Sequence, residues 1–385
     1  MRAISSAGML VAVATTSTAA RAAAWSYTGA GAVDAAYDDN ILFVAHDPLV
    51  DHSGRLDYAA TLLRVSDQAR WSLLPRIVAV AYDHDRIYNH TEQYLTISNV
   101  VSGERDSSNL SFNLIRDTTL TSELGSTGLT AINKRRQSSN LSWSPSRQVS
   151  ERWVLGAQFG ATVVHYADAA RTNLVDYRYG MAALYSSYVL SERSKLTWQL
   201  SGGRLQVPDN GLYDNDNYAT TLAYDRLLTE NWHLSVSAGP SLIRGAAAAG
   251  ADRGTVYGFS LTRALERNKV SLSVSRDVTP NGLGLLARHE QAALNLTHTV
   301  GEHTALSLDG VLMQTLNLLT TGGLQLSKVE YSDVNAGLNW SWAPTWRLSM
   351  GIGRGQQVND AIGDRARRWH GSLGVRWSGL EHVLH

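Results

Sequence analysis

From Trp25 onward the chain alternates apolar and polar residues with a period of two, the pattern of strands that show one apolar and one polar face. Val270, Leu272 and Val274 alternate with Ser271, Ser273 and Ser275. Leu234, Val236 and Ala238 alternate with Ser235, Ser237 and Gly239, and Val334, Ala336, Leu338, Trp340 and Trp342 with Asn335, Asn339 and Ser341. No 3.6-residue pattern competes with this one. The connections alternate as well, in length. Tight turns are expected at residues 66–69, 103–106, 145–151, 191–194, 229–231, 266–268, 301–303 and 343–345. Longer polar loops are expected at 39–53, 83–91, 121–135, 167–176, 206–216, 245–253, 278–287, 318–328 and 358–367. Eight turns and nine loops in strict long-short order predict eighteen antiparallel strands with both chain ends on the short-turn side.

An even strand count with short turns at one end and long loops at the other is the pattern of an outer-membrane barrel. The expected fold is therefore all-β: a single antiparallel transmembrane β-barrel of about 18 strands over residues 25–385, with short periplasmic turns and longer extracellular loops. A soluble sandwich or propeller would carry charges on its outward faces. Here the polar faces are mostly Ser, Thr, Asn, Gln and Gly, and charges concentrate in the loops.

Tryptophan placement checks the topology independently. Trp25, Trp71, Trp143, Trp153, Trp198, Trp232, Trp340, Trp342, Trp346 and Trp377 lie within a few residues of a short turn or of a chain end on that side, whereas Trp369 lies near a long loop. An indole favours the membrane interface because its ring prefers hydrocarbon and its N–H prefers water. These tryptophans are read as a periplasmic aromatic girdle. Tyr82, Tyr166, Tyr177, Tyr179 and Tyr257 are expected to form the opposite one.

Composition narrows the function classes. Lys+Arg and Asp+Glu are both 34, so the chain is neutral and lacks the basic footprint of a nucleic-acid binder. No run approaches the ~18 apolar residues of a transmembrane helix. Cys is absent, which excludes disulfides, thiolate metal sites and a cysteine nucleophile. At the N-terminus, Arg2, an apolar run over 7–14 and Ala22-Ala23-Ala24 read as a secretory signal peptide over residues 1–24. At the other end Ser372, Gly374 and Trp377 fit the polar-x-Gly-x-x-aromatic pattern of a strand that resembles the signal read by the barrel-assembly machinery, followed by an unexplained tail over 379–385.

A ring of eighteen strands leaves an aqueous channel, so transport is the default function. With the apolar side facing lipid, the lumen is expected to receive Asp34, Arg55, Asp57, Ser111, Asn113, Asp117, Gln158, Thr162, Arg178, Gln199, Thr221, Asp225, Ser271, Ser273, Asp277, Asn295, Asp309, Asn335, Asn339, Arg347 and Arg376. The signs are mixed, without the Arg or Lys ring of an anion pore. This hydroxyl- and amide-rich lining suits a neutral or weakly charged hydrated solute, such as a sugar chain, and equally an unselective pore. An inward-folded loop at 39–53 or 121–135 would supply a constriction.

The segment Tyr37-Asp38-Asp39-Asn40, followed by Ile41, Leu42 and Phe43, resembles the opening signature of barrels encoded with exopolysaccharide systems, the EpsL-like or β-barrel porin type 2 families. The agreement continues at Ala223 to Trp232 and in the turn spacing. The resemblance implies an outer-membrane channel for exopolysaccharide secretion, with a polysaccharide chain, a periplasmic polysaccharide-export protein, outer-membrane lipid and the assembly machinery as partners. The alternative is a general or sugar-selective porin for small solutes. For Asp38, Asp39 and Asn40 themselves, a cation-binding loop start competes with a strand terminator of Asx-turn chemistry.

Enzyme chemistry has one candidate constellation, His84 between Asp83 and Asp85 with Asp51, His52 and Ser53 on the neighbouring loop. No H-E-x-x-H or G-x-S-x-G motif accompanies it. No catalytic residue, metal site or cofactor is expected.

Overall fold

The computed structural model describes residues 24–123, 127, 133–169, 174–208, 214–245, 251–317, 327–360 and 363–384. The leader expected over 1–24 lies outside these residues except for Ala24, which begins the first strand. Eighteen long strands follow in chain order: β1 (Ala24–Asp38), β2 (Asp51–Val65), β3 (Ala69–Tyr82), β4 (His90–Ser102), β5 (Asp106–Thr118), β6 (Arg135–Gln148), β7 (Trp153–Tyr166), β8 (Tyr177–Ser191) and β9 (Ser194–Gln206), then β10 (Asn215–Leu227), β11 (Trp232–Gly245), β12 (Ala251–Ala264), β13 (Asn268–Pro280), β14 (Leu286–Thr299), β15 (Thr304–Asn317), β16 (Ser327–Ala343), β17 (Trp346–Asn359) and β18 (Asp364–Ser378). They run 13 to 17 residues, longer than the ~9–11 a tilted strand needs to cross a bilayer. Each pairs antiparallel with the next, and β18 pairs with β1, so the sheet closes into an eighteen-stranded barrel.

The register assigns every side chain to a face. Val33 lies opposite Leu56, and Leu56 opposite Ala79, on the outside; one residue along, Asp34 lies opposite Arg55 on the inside. The outer positions expose aliphatics such as Val33 (62%), Leu184 (62%) and Leu312 (59%). A continuous apolar exterior of this kind, on a closed sheet with every ladder paired, is built for hydrocarbon and not for water. All eleven tryptophans take outer positions. Arg64 stacks over Trp25 and Arg263 over Trp232 at the short-turn rim, 5.5 and 5.1 Å from the ring centroids, which anchors those rings at the interface.

The tail closes the seam. After Ser378 the chain kinks at Gly379, whose N–H donates to Gly29 O at 2.7 Å. A short strand β19 (His382–Leu384) then pairs with Trp25, Ser26 and Tyr27, so β1 keeps a partner along its whole length.

Two expectations are corrected, one about a loop and one about the tyrosines. Residues 278–280 and 286–287 are strand, not loop, leaving only 281–285 as the turn. Pairing of β13 with β12 ends at Tyr257 and Arg276, although β12 continues to pair with β11 up to Ala251 and β13 with β14 up to Pro280. Above that point the β13–β14 tip leaves its neighbour and bends into the barrel. Of the tyrosines expected in an outer girdle, Tyr82, Tyr166, Tyr177 and Tyr179 occupy inward positions instead, and only Tyr257 faces out. Pairing places Tyr177 opposite Val164 and Tyr179 opposite Thr162, both on the inner wall.

Candidate functional site

The inner wall carries a layered polar lattice. Near mid-wall, hydroxyls and amides bond across strands: Thr96 Oγ1 donates to Asn113 Oδ1 at 2.7 Å, and Thr162 Oγ1 to Asn140 Oδ1 at 2.8 Å. Ser72 and Ser98, and Ser187 and Thr197, pair through their hydroxyls at 2.6 and 2.8 Å. Higher on the wall the charges are paired. Arg76 grips Asp57 with two bonds, Nε to Oδ1 at 2.9 Å and Nη2 to Oδ2 at 2.5 Å, and Arg55 adds a third contact at 3.3 Å. Arg136 holds Asp117 bidentately at 2.9 and 2.7 Å. Such forks fix both partners and make the wall rigid; Arg136 and Asp117 balance in charge, whereas Asp57 offsets only one of the two guanidiniums it holds.

Strand parity puts Asp34, Arg55, Asp57, Ser111, Asn113, Asp117, Gln158, Thr162, Gln199, Thr221, Asp225, Ser271, Ser273, Asp277, Asn295, Asp309, Asn335, Asn339, Arg347 and Arg376 on the inner face. Arg178 is different. It pairs with Val163 and Gln206, both outer positions, and is exposed on the outer wall at the extracellular end of β8. The error has a simple origin: at a strand end polarity no longer distinguishes lumen from headgroup water, and only the register does.

Three inward elements crowd the extracellular half. The loop after β1 is organised by Asn40, which is buried, donates through Nδ2 to Val44 O (2.7 Å) and Arg367 O (3.0 Å), and accepts from Val44 N–H (3.0 Å). Asn40 N–H donates to Asp38 Oδ1 at 2.9 Å and Trp369 N–H to Asp39 Oδ1 at 2.7 Å, so this signature does the work of an Asx turn and a seam clip. It throws Phe43, 3% exposed, against Tyr331, Ala366, Val311 and Met313 of the inner wall, with Arg368 stacked 4.8 Å over its ring. Arg368 also reaches Asp38 (3.5 Å) and Asp333 (3.7 Å).

The second element follows β5. A single helical turn, Thr119–Ser122, leads to Glu123, which accepts from Tyr166 Oη at 2.6 Å and from Thr127 Oγ1 at 2.9 Å. Thr121 Oγ1 donates to Glu92 Oε1 at 3.0 Å, beside Tyr94 Oη at 2.9 Å from Oε2.

The third is the β13–β14 tip. Leu286 buries itself in a cluster with Val164, Tyr166, Leu174, Tyr177, Leu205, Val207 and Ile243, drawn from β7, β8, β9, β11 and the loops between them. Val175 N–H donates to Gly282 O at 2.9 Å, and Arg288 reaches Asp252 on the inner face of β12 at 2.6 Å. Residues 285–288 are buried on both faces. The tip thus lies inside the wall formed by β7 to β12.

Beside these elements a cavity of about 800 Å³ follows β1, β2, β17 and β18 from Ile41 and Thr121 down to Pro344 and Ser378 near the short-turn rim. Arg55, Arg76, Arg347, Arg368 and Arg376 line it together with Asp34, Asp38, Asp57 and Glu92. Arg347 and Arg376 are direct cross-strand neighbours, and neither makes an ion pair among the described residues.

In the His84 constellation Asp51 serves the loop backbone. Asp51, with no exposed side-chain surface, accepts from the backbone N–H groups of His52 (2.7 Å), His84 (3.2 Å) and Asp85 (2.9 Å). No Ser or Thr hydroxyl bonds His84 among the described residues, and no group of three or more His, Asp or Glu among them is placed to hold a metal.

No family model matches the sequence, and no curated protein matches it. Solved outer-membrane barrels are similar in form. OpdK of Pseudomonas aeruginosa is 13% identical, with 92% of this chain and 99% of that one covered and a TM-score of 0.49. OccK2 (OpdF) of the same organism, in complex with glucuronate, is 13% identical over 93% and 96%, with a TM-score of 0.49. OccAB3 of Acinetobacter baumannii is 8% identical over 94% and 99%, with a TM-score of 0.48. At this identity the likeness is one of barrel form only. The closed sheet, apolar exterior and indole girdle make the chain an outer-membrane β-barrel.

Proposed function

We propose that the barrel is a diffusion channel for small polar solutes, the porin reading of the two the sequence left open. The observation that carries it is the inward folding of the β13–β14 tip, together with the Phe43 loop and the segment around Glu123. These elements fill much of the extracellular half and leave beside them a polar cavity of about 800 Å³, within the ~300–1,000 Å³ that suits a single small molecule. A hydrated polysaccharide chain needs a clear bore of uniform width, so the secretion reading is the weaker one. The Tyr37 to Asn40 signature that suggested it is engaged in closing the seam and seating Phe43. In a small-solute channel the Arg–Asp forks keep the wall rigid and wet, and the solute moves down its own gradient.

The test is liposome swelling with the refolded barrel and a series of neutral sugars, paired with planar-bilayer conductance. Mono- and disaccharides should enter, and long glucan chains should neither enter nor interrupt the current. Entry or sustained block by long chains would restore the polysaccharide conduit.

A further inference from the structure

The outer wall of a barrel in lipid is ordinarily convex and featureless, but on β1 to β7 it holds two connected hollows. The first, about 520 Å³, is an apolar groove whose floor is Gly54, Ala79 and Ala81 and whose sides are Val33 and Leu56. The second, about 350 Å³, has Arg116 and Arg135 beside Gln93 and Gln137, with two carboxylates close by that are already engaged, Asp117 by Arg136 and Asp176 by His165. Thr91 and Arg135 line both, so the hollows meet. Their placement along the strands gives the pair a direction. Val33 lies well inside β1, whereas Arg135 is the first residue of β6 and Arg116 lies two residues from the end of β5. The groove therefore climbs from hydrocarbon depth to the extracellular rim and ends on cations.

Those cations have spare charge. Arg116 and Arg135 are exposed and make no ion pair among the described residues, while elsewhere on the outer face Arg276 is held by Glu290 at 3.0 Å and Lys328 by Glu330 at 2.5 Å. Thr118 lies opposite Arg135 and Gln137 opposite Arg116, so the two guanidiniums are diagonal neighbours on one face, close enough to share one tetrahedral anion. An apolar groove open to the bilayer that ends in two guanidiniums with no ion-pair partner among the described residues is complementary to an amphiphile with an acyl chain and a phosphate. We infer that this hollow is a specific site for an acylated, phosphorylated glycolipid of the outer leaflet, with lipid A chemistry. One acyl chain lies along Val33, Leu56 and Ala79, and a phosphate bridges Arg116 and Arg135. The site would order lipid against the β1–β7 wall.

The groove also supplies a variant that spares the fold. A Cβ added at Gly54 meets nothing within 4 Å, so Gly54→Leu starts into open space, projects into the hollow and adds strand propensity. Native mass spectrometry of the refolded full chain would be titrated with lipid A, dephosphorylated lipid A and deacylated phosphorylated disaccharide, with heat-modifiable gel migration reporting folding. One lipid A should be retained. Arg116→Gln combined with Arg135→Gln should weaken it about tenfold, and Gly54→Leu should do the same while the barrel stays folded. Equal retention of dephosphorylated lipid A, or of the deacylated disaccharide, would overturn the site, as would full retention by both folded variants.

Discussion

Arg347 and Arg376 face each other across β17 and β18 with no carboxylate partner among the described residues, whereas a few residues up the wall Arg55 and Arg76 share Asp57. Substitutions in the two clusters should move selectivity in opposite directions. Replacing both Arg347 and Arg376 by Ser removes unmatched positive charge and should move the reversal potential in a KCl gradient toward cation preference, by roughly twofold or more in permeability ratio. Asp57→Asn removes the one anion between two guanidiniums and should move it toward anions. An unchanged reversal potential in both variants would show that neither cluster meets the ion path. At this scale the sequence was legible where strands cross mid-membrane, because polarity there has only one reason to exist. It was misleading at Arg178 and at Tyr82, Tyr166, Tyr177 and Tyr179, which sit near strand ends where lumen and headgroup region are equally polar.

The β13–β14 tip depends on contacts its own strands do not make. Arg288 is 8% exposed in its side chain and has Asp252 as its ion-pair partner, while its Nε and Nη2 find no acceptor among the described residues. Asp252→Asn strands a buried cation, at a cost of about 3 kcal/mol, the low end for such a pair because Asp252 stays partly exposed. The expected outcome is larger and noisier single-channel conductance as the tip loosens, with unchanged gel migration of the folded barrel. The tail makes a complementary case. Deleting 379–385 frees one edge of β1 at Trp25 to Tyr27, which stay paired with β2 on the other, and does so at the short-turn rim, where water can replace the lost bonds. A lower midpoint of heat-induced gel shift is expected, with assembly retained; complete failure to fold would instead make β19 part of the assembly signal. The tip and the Phe43 loop left faint traces in the sequence. Gly282-Leu283-Gly284-Leu285-Leu286 is too apolar for a loop in water, as is Ile41-Leu42-Phe43, and burial against the inner wall accounts for each. Alternation could not reveal the bend itself, because a hairpin keeps its period of two whether it stands in the wall or folds through it.

For the whole molecule, the open question of mechanism is whether the tip is part of the wall or a moving gate. Burial on both faces of residues 285–288, continuous pairing of β14 with β15 up to Ala287, and anchorage on the β7–β8 loop all favour a fixed wall. The geometry offers a direct test, since the chain has no Cys. A Cβ built at Gly284 lies 3.7 Å from Val175 Cβ, against the ~3.8 Å typical of a disulfide. Gly284 has φ of 71°, so a Cys there carries roughly 1 kcal/mol of backbone strain, and its Cβ sits 3.0 Å from Val207 Cγ2, a side-chain contact that must give slightly; neither is enough to prevent bridging. Gly284→Cys with Val175→Cys should therefore oxidise readily in the folded barrel and leave conductance the same before and after reduction. If reduction instead opened a larger state, the tip would be a gate that the resting barrel holds shut. The cavity along β1, β2, β17 and β18 would then be only one branch of the path, and the size limit of the solutes would be set by hairpin motion and not by the standing lumen.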